Sequence, residues 1–536
     1  MNSSDTERER FVMPQWLPFN AAVKQGELFA PEAVEVIDTR ASEMAFAEAM
    51  GAFTTEPGPF LAADLLGIAV RLGRVGEART LAEYLLAHDV VGPATNDLAR
   101  RVLGRNRPAK VPEPGLPQRI REARGWLRRF PNDAIAWVEQ ARLYTIIGQK
   151  KQAERAIERA VRLAPHDRFV VRSAGRFFIH RGNWERAHEL AAAAAKATND
   201  PWLNSLWIST GSHLGRSPVA FRSKLGAALA APQRFHHSEL IEACATHEVM
   251  AGSEKKARRM FHEAWLDPAK TVVTHSQWIL REKMPGLTPG VVIDFSRSSE
   301  AMAWVRLMRL EFPEAVQSAR EWALEEPYST APFMHGSFVD TLRENYEEAE
   351  ALAREGLRAN PGHHGLVNNL AFALAGQNRL TEAAALLQPM QGEFERTKDV
   401  ALIATWGLVR MKQGFHAEGR KSYLAAIERA RTQGDAKLTL RAVLNYLIAE
   451  VDSGGTLDAD LVTASADSLL KVHDPRILIT AERLQKRLRS HQPLAVMEKE
   501  AAALAKFDRA VVQIGAEVRK MIAVSEGAAP PSPPWL

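Results

Sequence analysis

The stretch Asp133–Pro165, DAIAWVEQARLYTIIGQKKQAERAIERAVRLAP, decides the fold. Its apolar residues recur at three- and four-residue spacing before and after Gly148, the pattern of two amphipathic helices joined by a tight turn. A step of 34 residues from its marked positions returns residues of matching size. Ala141 leads to Gly175, Tyr144 to Phe178, Gly148 to Gly182, Ala153 to Ala187 and Ala160 to Ala194, while Pro165 looks back to Pro131. The same 34-residue step joins Pro327 to Pro361, and Ala315 to Ala349 and Ala383, and lands next near Gly419. A fixed period of this length is the signature of stacked helical hairpins. Almost every other segment also reads as a short helix closed by Gly, Asn or Pro, and only Gly290–Ser296 looks strand-like. The expected fold class is all-α.

The order of residue types within the period resembles the tetratricopeptide repeat family. That pattern runs from a large aromatic through a small residue to Tyr, then Ala, a bulky apolar residue and a closing Pro. Here the slots hold Trp137, Gln140, Ala141, Tyr144, Ala153, Ile157 and Pro165, with Gln140 departing from the usual Leu. Units of uneven quality follow over Pro59–His88, Asp133–Pro165, Asp167–Pro201, Ser238–Pro268, Ser299–Pro327, Ser329–Pro361, His363–Pro389 and Val400–Ala430. The resemblance implies an α-solenoid of antiparallel helix pairs wound into a right-handed superhelix. Physically, small residues such as Ala141, Gly175 and Ala371 allow two helices to approach, and Trp137, Tyr144 and Phe178 fill the space between pairs. No hairpin buries its faces alone, so several must stack.

The organisation expected from this reading is a lead over 1–55, a helical repeat region over 56–110 and a first array over 111–270. An interrupting linker follows over 271–298, then a second array over 299–432, a helical cap over 433–524 and a proline-rich disordered tail over 525–536. Arg105–Pro117 is a proline-rich joint.

Composition bounds the function. Among 536 residues, 69 are Lys or Arg and 64 Asp or Glu, a formal net charge of +5, too small an excess to argue for nucleic acid or membrane. A single cysteine, Cys244, excludes a disulfide framework and a cysteine zinc site. Neither a secretory signal nor an apolar run long enough to cross a membrane is present, so a cytoplasmic setting is expected, within a bacterial-type complex. Walker, Rossmann, nucleophile-elbow and HExxH motifs are absent, and no catalytic residue, metal site or cofactor is expected. Cys244 and His247 lie three apart on a helix, but Cys244 reads as a buried structural residue.

In the resembled family the first helix of each pair lines the inner groove. Applied to the first array, that offset selects Arg142, Arg172, Arg176 and His180, with Val138: either a basic groove for an acidic peptide, carboxylate or phosphates, or arginines paired with glutamates such as Glu139. Applied to the second array, it selects Trp304, Leu307, Met308, Met334, Phe338, Phe372, Leu408 and Met411, either an apolar groove for a partner segment or core. Asn368 and Asn369 sit where some members clamp a C-terminal carboxylate, but the flanking lysines are missing. Residues 494–524 carry an apolar stripe that either caps the last repeat or forms a self-association seam.

The reading preferred on these grounds is a non-enzymatic scaffold or adaptor that binds partner proteins or peptides in its grooves. A nucleic-acid-binding helical-repeat protein, motivated by the arginine row and a pI of about 9.2, and a peptide-responsive sensor are the alternatives.

Overall fold

A computed structural model describes residues 11–19, 39–71, 74–88, 93–103, 115–216, 225–226, 234–392, 394, 399–490 and 498–527. Most of the joint at 105–117, the start of the C-terminal stripe and the proline-rich tail beyond residue 527 lie outside the described residues. The chain divides into two compact units, one of residues 23–122 and one of residues 1–22 with 123–536.

The smaller unit holds α1 (Thr39–Thr55), α2 (Pro59–Arg71), α3 (Val75–His88) and α4 (Pro93–Val102). Consecutive helices pack on one another around Phe46, Phe53, Leu65, Leu66, Leu81 and Leu85. α5 (Leu116–Arg129) leads into the larger unit.

There the first array comprises α6 (Ala134–Ile146), α7 (Lys150–Leu163), α8 (Arg168–His180), α9 (Trp184–Thr198), α10 (Pro201–His213), α11 (Arg234–Met250), α12 (Glu254–Ala264) and α13 (Lys270–Trp278). The 34-residue period is written into the helix ends. Asp133 and Asp167 cap α6 and α8 by accepting from Ala136 N and Val170 N, each at 2.9 Å. Both helices stop at a left-handed glycine, Gly148 at φ 70° and Gly182 at φ 74°. Gly175 fits the close approach of α8 and α10, because a Cβ there would stand 2.6 Å from Leu206 Cδ2.

The second array comprises α14 (Ser299–Met308), α15 (Phe312–Glu325), α16 (Ala331–Leu342), α17 (Tyr346–Ala359), α18 (His364–Gly376), α19 (Leu380–Leu387), α20 (Val400–Lys412) and α21 (His416–Thr432). Here the left-handed position between paired helices falls on Leu310, Glu344 and Asn378, again 34 apart. The cap is α22 (Ala436–Asp452), α23 (Ala459–Leu469), α24 (Pro475–Ser490) and α25 (Glu498–Gly527).

The larger unit is an all-α stack of consecutively packed helix pairs, and no strand occurs among the described residues. The strand-like segment Gly290–Ser296 is irregular and runs into a 3-10 turn at Phe295–Arg297. Asp294 Oδ1 accepts from Ser296 N at 3.0 Å and bends the chain away from an extended path. The stretch 271–298, expected as a linker, carries most of α13 and a π-helical turn at Ile279–Lys283, with Val272, Val273 and Ile279 in the core. The C-terminal stripe packs within the molecule. Phe507, Val511, Ile514 and Val518 of α25 are buried in one core with α23 and α24, so this stripe is not a free seam for self-association. Cys244 is fully buried and desolvation pushes its thiol up to about 12, which leaves it unreactive.

Candidate partner-binding hollow

The inner face of the first array is filled. Residues 11–19 run along α8 in an irregular, extended path. Phe11 meets Trp184 and His213, Trp16 meets Phe177 and Tyr328, and Phe19 meets Phe169, so the segment passes from the C-terminal end of α8 to its N-terminal end. Trp16 has 0% of its surface exposed.

Of the two readings of the arginine row, an open basic groove or arginines paired with carboxylates, the contacts fit the second. Arg142, Arg172 and Arg176 do share one face, but all three are buried. Arg142 Nε donates to the Trp16 carbonyl at 3.3 Å, and its Nη2 donates to the Glu325 carbonyl at 3.4 Å. Arg172 makes a two-pronged pair with Glu239 at 2.7 and 3.1 Å and lies over the Trp202 ring. Arg176 meets Glu326 at 3.4 Å and lies over Tyr328. His180 is half-buried, with its ring against Tyr328 at 5.5 Å. The row serves internal contacts, tying the first array to the N-terminal segment and to the Glu325–Tyr328 corner of the second. Desolvated ion pairs of this kind hold only when both charges are matched.

The second array is different. Its inner face encloses a cavity of about 150 Å³, walled mainly by apolar surface. Of the residues selected from sequence, Trp304, Met334, Phe338, Asn368 and Phe372 line it. Leu307, Met308, Leu408 and Met411 do not, Leu307 being fully buried in the core. Met308 ends α14 and is half-buried, outside the lining. Leu408 and Met411 belong to the core between helix pairs. Met411 packs on Gly419, at a contact so close that a Cβ on Gly419 would stand 2.7 Å from the Gly407 carbonyl. The approach of α20 to α21 thus takes up the face that the offset assigned to the groove.

Sequence reasoning missed the roof. Leu438, Arg441 and Asn445 come from α22, and Arg476, Thr480 and Arg483 from α24, both beyond the repeats. α24 lies against α14 and α16. Arg476 and Arg483 are seven apart on α24, and Arg441 and Asn445 four apart on α22, so each pair shares a helix face, which was readable. What those faces meet was not.

Polar groups in the lining are mostly satisfied. Thr405 Oγ1 donates to Asn368 Oδ1 at 2.8 Å, and Asn369 Nδ2 donates to Ser337 Oγ at 2.9 Å and to the Met334 carbonyl at 3.2 Å. Asp399 Oδ1 caps α20 at Ala401 N and Leu402 N. His335 sits edge-on to Trp304 at 4.6 Å and bonds the Ala303 carbonyl at 3.2 Å; desolvation pulls its pKa down to about 3, so it is neutral. Arg476 pairs with Asp474 at 2.7 Å, and Arg483 with Glu344 at 3.1 Å and with Tyr346 Oη at 3.2 Å. Arg441 is the exception among the described residues. Its guanidinium lies over the Phe338 ring at 5.6 Å, and no carboxylate meets it. Desolvation and the nearby Arg476 lower its pKa, against a smaller opposing pull from Asp474 and Asp435.

No family model and no curated protein matches the chain. Among solved structures, a chain of the crystal structure of the APC/C hetero-tetramer Cut9-Hcn1 matches at 13% identity and a TM-score of 0.39, over 95% of this chain and 96% of that one.

Proposed function

We propose that the protein is a non-enzymatic scaffold that takes an apolar segment of a partner protein into the second array, at Trp304, Met334, Phe338, Asn368 and Phe372. The observation that carries this reading is the contrast between two inner faces of one chain. The first is filled by residues 11–19 and paired charges; the second keeps an aromatic- and methionine-lined hollow. Apolar hollows of this kind are where anchor side chains dock, and methionine adapts to varied shapes.

The nucleic-acid reading loses its structural motive, because Arg172 and Arg176 of the row that suggested it are buried and paired. Among the described residues no helix is long and apolar enough to cross a membrane.

A photo-crosslinking residue at position 372, introduced in the cells that make the protein, should give protein adducts that Phe338→Asp removes while the circular dichroism of the variant stays helical. Absence of adducts, or adducts unchanged by Phe338→Asp, overturns the proposal.

A further inference from the structure

The hollow has a charge asymmetry that its apolar walls make consequential. Three guanidiniums line it, those of Arg441, Arg476 and Arg483, against one carboxylate, that of Asp399. Asp399 is committed to the α20 backbone, Arg476 to Asp474 and Arg483 to Glu344. Arg441 is left with a ring face and no direct ion pair, Asp474 and Asp435 acting on it only from beyond pairing distance.

An arginine does not escape this by losing its proton. A half-buried guanidinium that faces an apolar hollow with no direct ion pair is a cost that folding alone gives little reason to keep. Asn445 and Asn368, also in the lining, add amide groups to it.

We propose that the docked segment carries one acidic side chain, flanked by aromatic or aliphatic residues, and that its carboxylate pairs with Arg441 across the floor of Phe338. This rests on the docking reading above and adds the chemistry by which the partner is recognised. The apolar neighbours fill the space against Met334, Phe338 and Phe372, and the carboxylate accepts two parallel N–H bonds, the geometry that distinguishes arginine from lysine. Selectivity follows from both halves. A purely apolar segment covers Arg441 without giving it a direct ion pair, and a highly charged one cannot desolvate its other charges.

The test is an unbiased selection with the full-length protein. A random peptide library displayed on phage is panned against wild type, Arg441→Gln and Phe338→Asp. Wild type should enrich peptides with one Glu or Asp between apolar residues. Arg441→Gln should retain apolar enrichment, lose the acidic position, and bind a wild-type-selected peptide at least tenfold more weakly, while binding of the same peptide with Glu→Gln is unchanged. Phe338→Asp should enrich neither.

Apolar peptides without an acidic position on wild type, or an acidic position that survives Arg441→Gln, overturn the recognition proposal and leave docking standing. No enrichment on wild type overturns both. Saturable binding of 3-phenylpropionate at micromolar concentration, without peptide enrichment, would make this a small-molecule site and also overturns both. Melting curves of each variant separate lost binding from lost structure.

Discussion

Arg441 is half-buried with no direct ion pair, offset only from a distance by Asp474 and Asp435, and that makes a stability prediction of unusual sign. Arg441→Met keeps the bulk over Phe338 and removes the desolvation cost. The loss of a cation–ring contact, about 0.5–1 kcal/mol at most exposed sites, opposes this. Relief of the unmatched charge is the larger effect, so the thermal midpoint of the unliganded protein should rise, by the equivalent of about 1 kcal/mol or more; a fall would mean that Arg441 has a structural partner. His335 makes the complementary prediction. Its pKa is held down to about 3 by desolvation, below the ordinary histidine value near 6.5. The unfolded chain therefore binds a proton first. Stability is full above about pH 6.5 and falls as pH drops toward 3, by up to about 1.4 kcal/mol per unit for one such group. His335→Gln removes that slope, leaving the weaker contributions of His188 and His236, whose pKa values burial also lowers. Denaturant midpoints at pH 7.5 and pH 5 should differ less in the variant than in wild type.

At the scale of elements, what the sequence made legible is what recurs within a hairpin. Gly148 and Gly182 as stops and the small residues at close approaches follow from local spacing, and the Asp133 and Asp167 caps, not singled out from sequence, keep the same period. Of the residues the offset picked, Met334 and Phe338 on α16 and Asn368 and Phe372 on α18 line the hollow. The offset failed at α20, where contact with α21 at Gly407 and Gly419 determines which side Met411 faces. It could not show what covers an inner face. Residues 11–19, FVMPQWLPF, have no helical period and two prolines, and nothing in them names α8 as their partner. Their burial predicts that the contact can be reconstituted. A synthetic peptide of residues 10–19 should bind the chain lacking residues 1–22, and the same peptide with Trp16→Ala should bind at least tenfold more weakly, since Trp16 is the anchor between Phe177 and Tyr328. Equal binding of both peptides in a polarisation titration would show that Trp16 does not hold the segment.

Within the larger unit, the two arrays and the cap are linked by charges at a few corners. Arg176 with Glu326 and Lys270 with Glu325 join the first array to the second. Glu344, at the left-handed turn after α16, joins the second array to the cap by receiving Arg483 at 3.1 Å and Arg487 at 2.5 Å, and Arg487 also reaches Asp452 at 2.9 Å. One carboxylate thus holds two guanidiniums of the helix that roofs the hollow. Entry of a segment requires that roof to lift or already to stand clear. Glu344→Gln keeps the shape of the turn and weakens both pairs, while Arg487 retains Asp452 and Arg483 retains Tyr346 Oη. The amides of α24 should then exchange with deuterium about tenfold faster, the equivalent of one charge-assisted bond. Those of α6 and α7, remote from the corner, should be unchanged. If lifting limits entry, peptides selected on wild type should associate faster with this variant while dissociating at a rate still governed by Arg441. An unchanged association rate alongside faster exchange would show that the hollow is open in the resting protein, with α24 serving as a fixed wall.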